Sequence, residues 1–114
     1  MFRLSCRAAI LEYLEAVLAA EGIATQRNAL EEDRANLVAR IRGNGSKRPI
    51  LLMGHTDVVG VQPDKWFADP FSGSRDGGFI YGRGTLDDKN NLTAVLMVIK
   101  LLRRLPNTVF LVRR

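Results

Sequence analysis

The sequence predicts an α/β fold: a mixed sheet with parallel central strands flanked by helices. Three observations predict it. Ile50-Leu51-Leu52-Met53 is a continuous apolar run bounded by Pro49 and Gly54, residues Asn90 to Arg104 form a strongly apolar helical segment, and Thr108 to Val112 is a second apolar run. Strand, helix, strand is the crossover that parallel pairing requires. Uninterrupted apolar strands are those covered on both faces.

The elements follow in order. Leu4, Ala8, Leu11, Leu14, Val17 and Leu18 recur at three- and four-residue spacing, so they share one face of a helix that packs on a sheet. Ser5 marks its start and Gly22 its end. Ile23 to Arg34 is polar and predicts at most a short edge strand. Asn36 to Arg42 alternates, with Leu37, Ala39 and Ile41 on one face, and reads as a half-buried strand. Gly43-Asn44-Gly45-Ser46 then makes a turn. After the central strand at 50–53 comes a long irregular segment over 56–78, punctuated by Pro63, Pro70, Gly73, Gly77 and Gly78. Segments of that length inside a domain are usually functional or disordered. Phe79-Ile80-Tyr81 predicts a short strand. In the next helix one face carries Leu92, Val95, Leu96, Ile99 and Leu102. A second carries Ala94, Met97, Val98 and Leu101, which predicts a largely buried helix ended at Pro106-Asn107.

Composition narrows the function. A chain of 114 residues with 46% hydrophobic and 25% charged residues fits one small globular domain and argues against disorder or collagen-like structure. No apolar run reaches the roughly 18 residues of a membrane span. Met1 to Ile10 contains Arg3 and Arg7 and does not read as a signal peptide. Cys6 is the only cysteine, reads as helix packing, and fits a reducing cytoplasm. The net charge of +5 raises nucleic acid as a partner. However, Arg103, Arg104, Arg113 and Arg114 are not interleaved with aromatics, and no zinc-finger or helix-turn-helix pattern is present, so neither nucleic acid nor membrane is expected as a partner.

Two segments carry chemistry. Gly54-His55-Thr56-Asp57-Val58-Val59 directly follows the predicted central strand and contains the sole histidine. In open α/β sheets ligands sit beyond the carboxyl ends of strands. A neutral imidazole there is a competent zinc ligand. Asp57 is placed to accept from the other ring nitrogen and hold the tautomer. By itself His-x-Asp is a weak motif, more often the pattern of a structural histidine at a strand end. The second segment, Gly82-Arg83-Gly84-Thr85-Leu86-Asp87-Asp88-Lys89-Asn90, leads into the helix. A dinucleotide-binding loop would need glycine where Asp87 stands, and a carboxylate there repels pyrophosphate. Acidic residues before a helix also complement its dipole, although the glycines around Arg83 suggest a tight path that presents Asp87.

Together the segments resemble the dinuclear zinc aminoacylase and carboxypeptidase family of metallopeptidases, which includes acetylornithine deacetylase, succinyl-diaminopimelate desuccinylase and Gly-Xaa carboxypeptidases. The resemblance runs from about Arg34 to the C-terminus, through Gly54-His55-Thr56-Asp57-Val58-Val59, Trp66, Asp69-Pro70-Phe71, Asp76-Gly77, Ile80-Tyr81-Gly82-Arg83-Gly84 and Asp87-Asp88-Lys89. It implies a partial zinc-peptidase catalytic domain, with residues 1–114 as its N-terminal part and the smaller dimerisation and lid domain absent. It implies His55 as a zinc ligand, Asp57 as the catalytic carboxylate that orients it, and Asp87 as the ligand bridging two Zn2+ ions, with Co2+ or Mn2+ as substitutes. Asp88 stands at a variable position and receives no metal role. Trp66 and Phe71 are expected to anchor the long loop. Implied substrates are small peptides or N-acyl amino acids, and the implied parent enzyme is a homodimer. Asn90-Asn91 stands where many members have glycine, which leans towards the carboxypeptidase branch. The family's Glu-Glu pair, holding the general base and another ligand, follows the strand that begins here at Thr108, so the chain alone is expected to be inactive. The competing expectation is a non-catalytic binding or regulatory module that retains part of the fold.

Overall fold

In a computed structural model of the protein, residues 5–31 and 34–105 are described. The first helix, α1, spans Ser5–Ala20. The apolar spacing becomes a buried stripe: Leu11, Leu14 and Leu18 are core residues, joined by Ile23. Leu4 and the side chains of Ser5 and Cys6 lie outside the described residues. The helix stops where Gly22 turns left-handed at φ +67°. There Ile23 N–H donates to Leu18 O at 3.0 Å and Gly22 N–H to Ala19 O at 2.9 Å. This is a Schellman closure, in which Gly22 supplies a conformation that a Cβ resists and Leu18 and Ile23 bury together beneath it.

Strands β1 (Thr25–Glu31) and β2 (Arg34–Ala39) pair antiparallel, with Thr25 opposite Ala39 and Arg27 opposite Leu37, and an irregularity between Ala29 and Glu31. In β2 the residues alternate as its sequence requires, Ala35, Leu37 and Ala39 half-buried and Asn36 and Val38 exposed. β1 is polar, exposed beyond Thr25, and longer than its sequence suggests, because backbone pairing with β2 supplies what its side chains do not. The hairpin packs on α1, and Arg27 spans the two with a bidentate pair to Glu15 at 2.6 Å for both bonds. Beyond β2, Asn44 Oδ1 accepts from the Ser46 N–H at 3.0 Å, forming the expected turn without a hairpin.

Ile50–Met53 departs from expectation. The run is neither a strand nor buried: Ile50 is 85% exposed and Met53 73%. A central strand exists only through ladders on both sides, and no described residue offers it one. Its expected neighbour, Thr108–Val112, lies outside the described residues, as does the Pro106-Asn107 break. Accordingly, both two-stranded sheets observed are antiparallel, and no parallel pair occurs among the described residues.

The long segment is more ordered than its composition suggests. β3 (Ser74–Asp76) and β4 (Phe79–Tyr81) form a hairpin. Its two-residue turn, Gly77-Gly78, takes φ +55° and +84°. Two successive positive φ values define the turn whose twist matches a hairpin, and glycine adopts them without strain. Asp76-Gly77-Gly78-Phe79 carried that signal in the sequence. Tyr81 meets Phe67 edge-on at 4.9 Å, Arg83 lies over the Trp66 ring at 5.4 Å, and Arg83 N–H donates to Pro70 O at 2.7 Å. Trp66 thus anchors the loop as expected, but Phe71 is 60% exposed and does not; Phe67 holds the loop to Tyr81 instead.

Helix α2 spans Asn90–Arg104. Leu92, Val95, Leu96, Ile99 and Leu102 are half-buried, whereas Ala94, Met97, Val98 and Leu101 are exposed. The expectation of a largely buried helix holds for one face only, since no described element covers the other. At its C-terminal end, Arg104 clasps the Glu21 carboxylate through Nε (2.8 Å to Oε2) and through a second guanidinium nitrogen to Oε1. Arg103 Nε donates to Glu21 O at 3.2 Å, and Lys100 Nζ lies 3.5 Å from Glu21 Oε1. Contacts divide the chain into two compact units, Met1–Leu51 with Met97–Arg114, and Leu52–Leu96.

Candidate metal centre

Every candidate site residue belongs to the Leu52–Leu96 unit. The approach to α2 is built by short hydrogen bonds. Thr85 N–H and Oγ1 both donate to Gly82 O, at 3.2 and 2.7 Å, and Lys89 N–H reaches back to Gly84 O at 3.0 Å. Within this closed turn Asp87 (φ −128°, ψ 95°) and Asp88 (φ −134°, ψ 19°) leave helical geometry, and the peptide between them is cis. Being outside helical φ/ψ, Asp87 carries its side chain clear of the path into α2, and it is 86% exposed.

That projection brings Asp87 to His55, 32 residues away in sequence, with Oδ1 3.0 Å from Nε2. On the other side of the ring, Nδ1 lies 3.1 Å from the Asp57 carbonyl oxygen and 3.4 Å from Asp57 Oδ1. Asp57 thus holds the ring chiefly through its backbone, with its carboxylate slightly farther away. Both ring nitrogens face acceptors. A neutral imidazole carries one N–H, so one nitrogen would oppose an acceptor with nothing between them. A cation between Nε2 and Asp87 removes that conflict, and a proton serves when nothing else does. The Asp57 carbonyl, and after it the Asp87 carboxylate, accordingly raise the His55 pKa above its ordinary value of 6.5.

The same geometry fits a divalent metal. Imidazole nitrogen and carboxylate oxygen are both donors that zinc accepts, and their convergence from two loops would let them hold one ion. In the tautomer whose Nδ1–H donates to the Asp57 carbonyl, Nε2 would be free to join the Asp87 carboxylate in holding a metal. These are two donors; no group of three or more His, Cys, Asp or Glu side chains able to hold an ion occurs among the described residues.

Asp88 and Asn91 were not singled out from the sequence. Asp88 Oδ2 accepts the His55 backbone N–H at 3.1 Å and Asn91 Nδ2 at 3.2 Å, while Asn91 Nδ2 also donates to Met53 O at 3.1 Å. The Asn91 and His55 donors depress the Asp88 pKa. Only the three-residue spacing from Asp88 to Asn91 hinted at that pairing; the partners at Met53 and His55 are invisible without the fold.

Comparison with known proteins follows the same residues. Residues 51–112 match the family model described as "Peptidase family M20/M25/M40". The chain is 45% identical over 71 residues to the N-fatty-acyl-amino acid synthase/hydrolase PM20D1 of Homo sapiens, covering 62% of this chain and 14% of that protein. It is 40% identical over 90 residues to the succinyl-diaminopimelate desuccinylase of a Methylobacterium species, covering 75% and 22%. It is 42% identical over 62 residues to a Schizosaccharomyces pombe protein described as an uncharacterized carboxypeptidase, covering 52% and 10%. The chain thus spans between about a tenth and a quarter of the length of these relatives. No helix among the described residues is long and apolar enough to cross a membrane. Since the matched stretch takes in both loops that meet at His55 and Asp87 and covers more than half of the sequence, this chain belongs to peptidase family M20/M25/M40.

Proposed function

We propose that this chain is the N-terminal part of the catalytic domain of a metal-dependent hydrolase of amide or peptide bonds. In this reading His55 and Asp87 are metal ligands, and Asp57 orients the imidazole. The observation that carries it is the 3.0 Å approach of His55 Nε2 to Asp87 Oδ1 from two separate loops. Zinc is the metal the family resemblance implies, two ions per complete site, and cobalt or manganese could substitute at such a mixed nitrogen and oxygen site. When bound, such a pair polarises the scissile carbonyl and lowers the pKa of water. The residues of this chain hold the Nδ1 proton on Asp57, present the Nε2 lone pair, and supply the negative charge of Asp87.

Two converging donors among the described residues fall short of the three protein ligands usual for catalytic zinc, so in this reading hydrolysis requires further ligands and a general base beside them. The names of the relatives favour an N-acyl amino acid or a short peptide as substrate. The single cysteine favours a cytoplasmic protein, and a homodimer suits the parent enzyme. The test is metal content in a chain that continues past Arg114 to the length of its relatives. Zinc should be bound by the parent and largely lost in His55→Ala and in Asp87→Ala. Unchanged zinc in both variants would leave a non-catalytic module that retains the fold.

A further inference from the structure

Two candidate ligands on separate loops make a metal site only if something fixes their separation, and the side chain next to Asp87 is bonded to the backbone of His55. Asp88 Oδ2 accepts the His55 N–H at 3.1 Å. The same oxygen accepts Asn91 Nδ2 at 3.2 Å, and Asn91 reaches across to Met53 O at 3.1 Å. One carboxylate oxygen and one carboxamide therefore tie the segment Met53–His55 to the residues flanking Asp87 and to the first turn of α2. Gly54 lies between the two tied residues, where a Cβ would meet Asp88 Oδ2 at 3.1 Å, Leu92 Cδ1 at 3.3 Å and Asn91 Nδ2 at 3.4 Å. A side chain there would press on the clamp, and its neighbours would have to give by a few tenths of an ångström.

We propose that Asp88 and Asn91 are positioning residues: they clamp the backbone of His55 to the Asp87 loop and so preset the distance between the two ligands before metal arrives. This rests on the reading of His55 and Asp87 as ligands. It assigns Asp88 the role of hydrogen-bond acceptor rather than of ligand or charge. Since both of its bonds fall on one oxygen, an amide oxygen can replace it, whereas a metal-binding carboxylate could not be replaced that way.

The experiment uses the longer chain defined above. Zinc affinity is measured by competition with a chelator, and exchange of the His55 amide hydrogen is followed in metal-free protein. Asp88→Leu and Asn91→Leu should each weaken zinc about 10- to 100-fold. Asp88→Leu should also speed exchange at His55 about tenfold, the equivalent of one lost hydrogen bond. Asp88→Asn should restore affinity to within about threefold of the parent, since its oxygen accepts both donors. Gly54→Ala is the second route to the same loss, crowding Asp88 Oδ2 and Asn91 Nδ2 without removing either group. Loss of zinc in Asp88→Asn equal to that in Asp88→Leu overturns the proposal, as does parent-like affinity in Asp88→Leu, Asn91→Leu and Gly54→Ala together. His55→Ala keeps the two failures apart: if it retains zinc, the ligand assignment fails, whereas if it loses zinc while the clamp variants keep theirs, only the clamp fails.

Discussion

His55 has a backbone carbonyl on one side of its ring and a carboxylate on the other. The carbonyl of Asp57 cannot be removed by a side-chain change, which separates holding the ring from tuning it. Asp57→Asn keeps the Nδ1–H···O=C bond and removes a negative charge 3.4 Å from that nitrogen. In the longer chain most of the zinc should therefore remain while hydrolysis slows by about 10- to 100-fold. Metal analysis and steady-state rates check this, and loss of cooperative unfolding in the variant would assign Asp57 a purely structural role. His55, Asp57 and Asp87 were picked out by residue type and by the resemblance of their two segments to a known family, both of which a sequence carries without the fold. Asp88 and Asn91 escaped it because a backbone N–H and a backbone carbonyl are their partners, and backbone groups carry no sequence signature.

Among the elements, α1 was the most legible, since its periodic leucines and Gly22 state both its buried face and its end. Gly22→Ala should cost about 1 kcal/mol, because alanine is strained at positive φ and the closure satisfying the last carbonyls is loosened. Urea unfolding of the chain measures it; equal midpoints would mean that the cap contributes nothing. The contact between the C-terminal ends of α1 and α2 was not legible. Glu21 is polar and near a helix end, but its side chain is only 11% exposed and takes Arg104, with Lys100 nearby. Arg104 hydrogen bonding, and then the charges of Arg104 and Lys100, pull the Glu21 pKa below its ordinary 4.5. A depressed carboxylate stabilises the fold above that value, and the stabilisation is lost as pH falls through the folded-state pKa. Glu21→Gln should thus be less stable than the parent near neutral pH, and the gap should close as pH falls below 4.5 and through the lowered folded-state pKa. Thermal midpoints across that range decide, and a gap that widens on acidification would contradict the pairing.

Over the whole molecule, apolar surface exceeds what the described residues cover. Ile50, Leu51, Met53, Met97 and Leu101 are all more than half exposed, although the sequence reads their segments as buried. Exposed apolar stretches of this kind mark surface intended for a partner element. The 114-residue chain should bind the dye ANS strongly, and Met97→Glu with Leu101→Glu should reduce the signal. Dye fluorescence as low as that of a well-packed protein would show these faces to be covered in solution.

Local properties were determined by the sequence alone: the amphipathic face of α1, the alternation in β2, the helical character of α2, and the residue types at positions 55, 57 and 87. Each depends on neighbours within a few positions, so periodicity and spacing suffice to read it. Whether Ile50–Met53 becomes a strand, and which backbone groups hold His55 beside Asp87, was decided only in three dimensions. A strand needs a ladder and a clamp needs two ends, and in both cases the partner lies tens of residues away along the chain or outside the described residues.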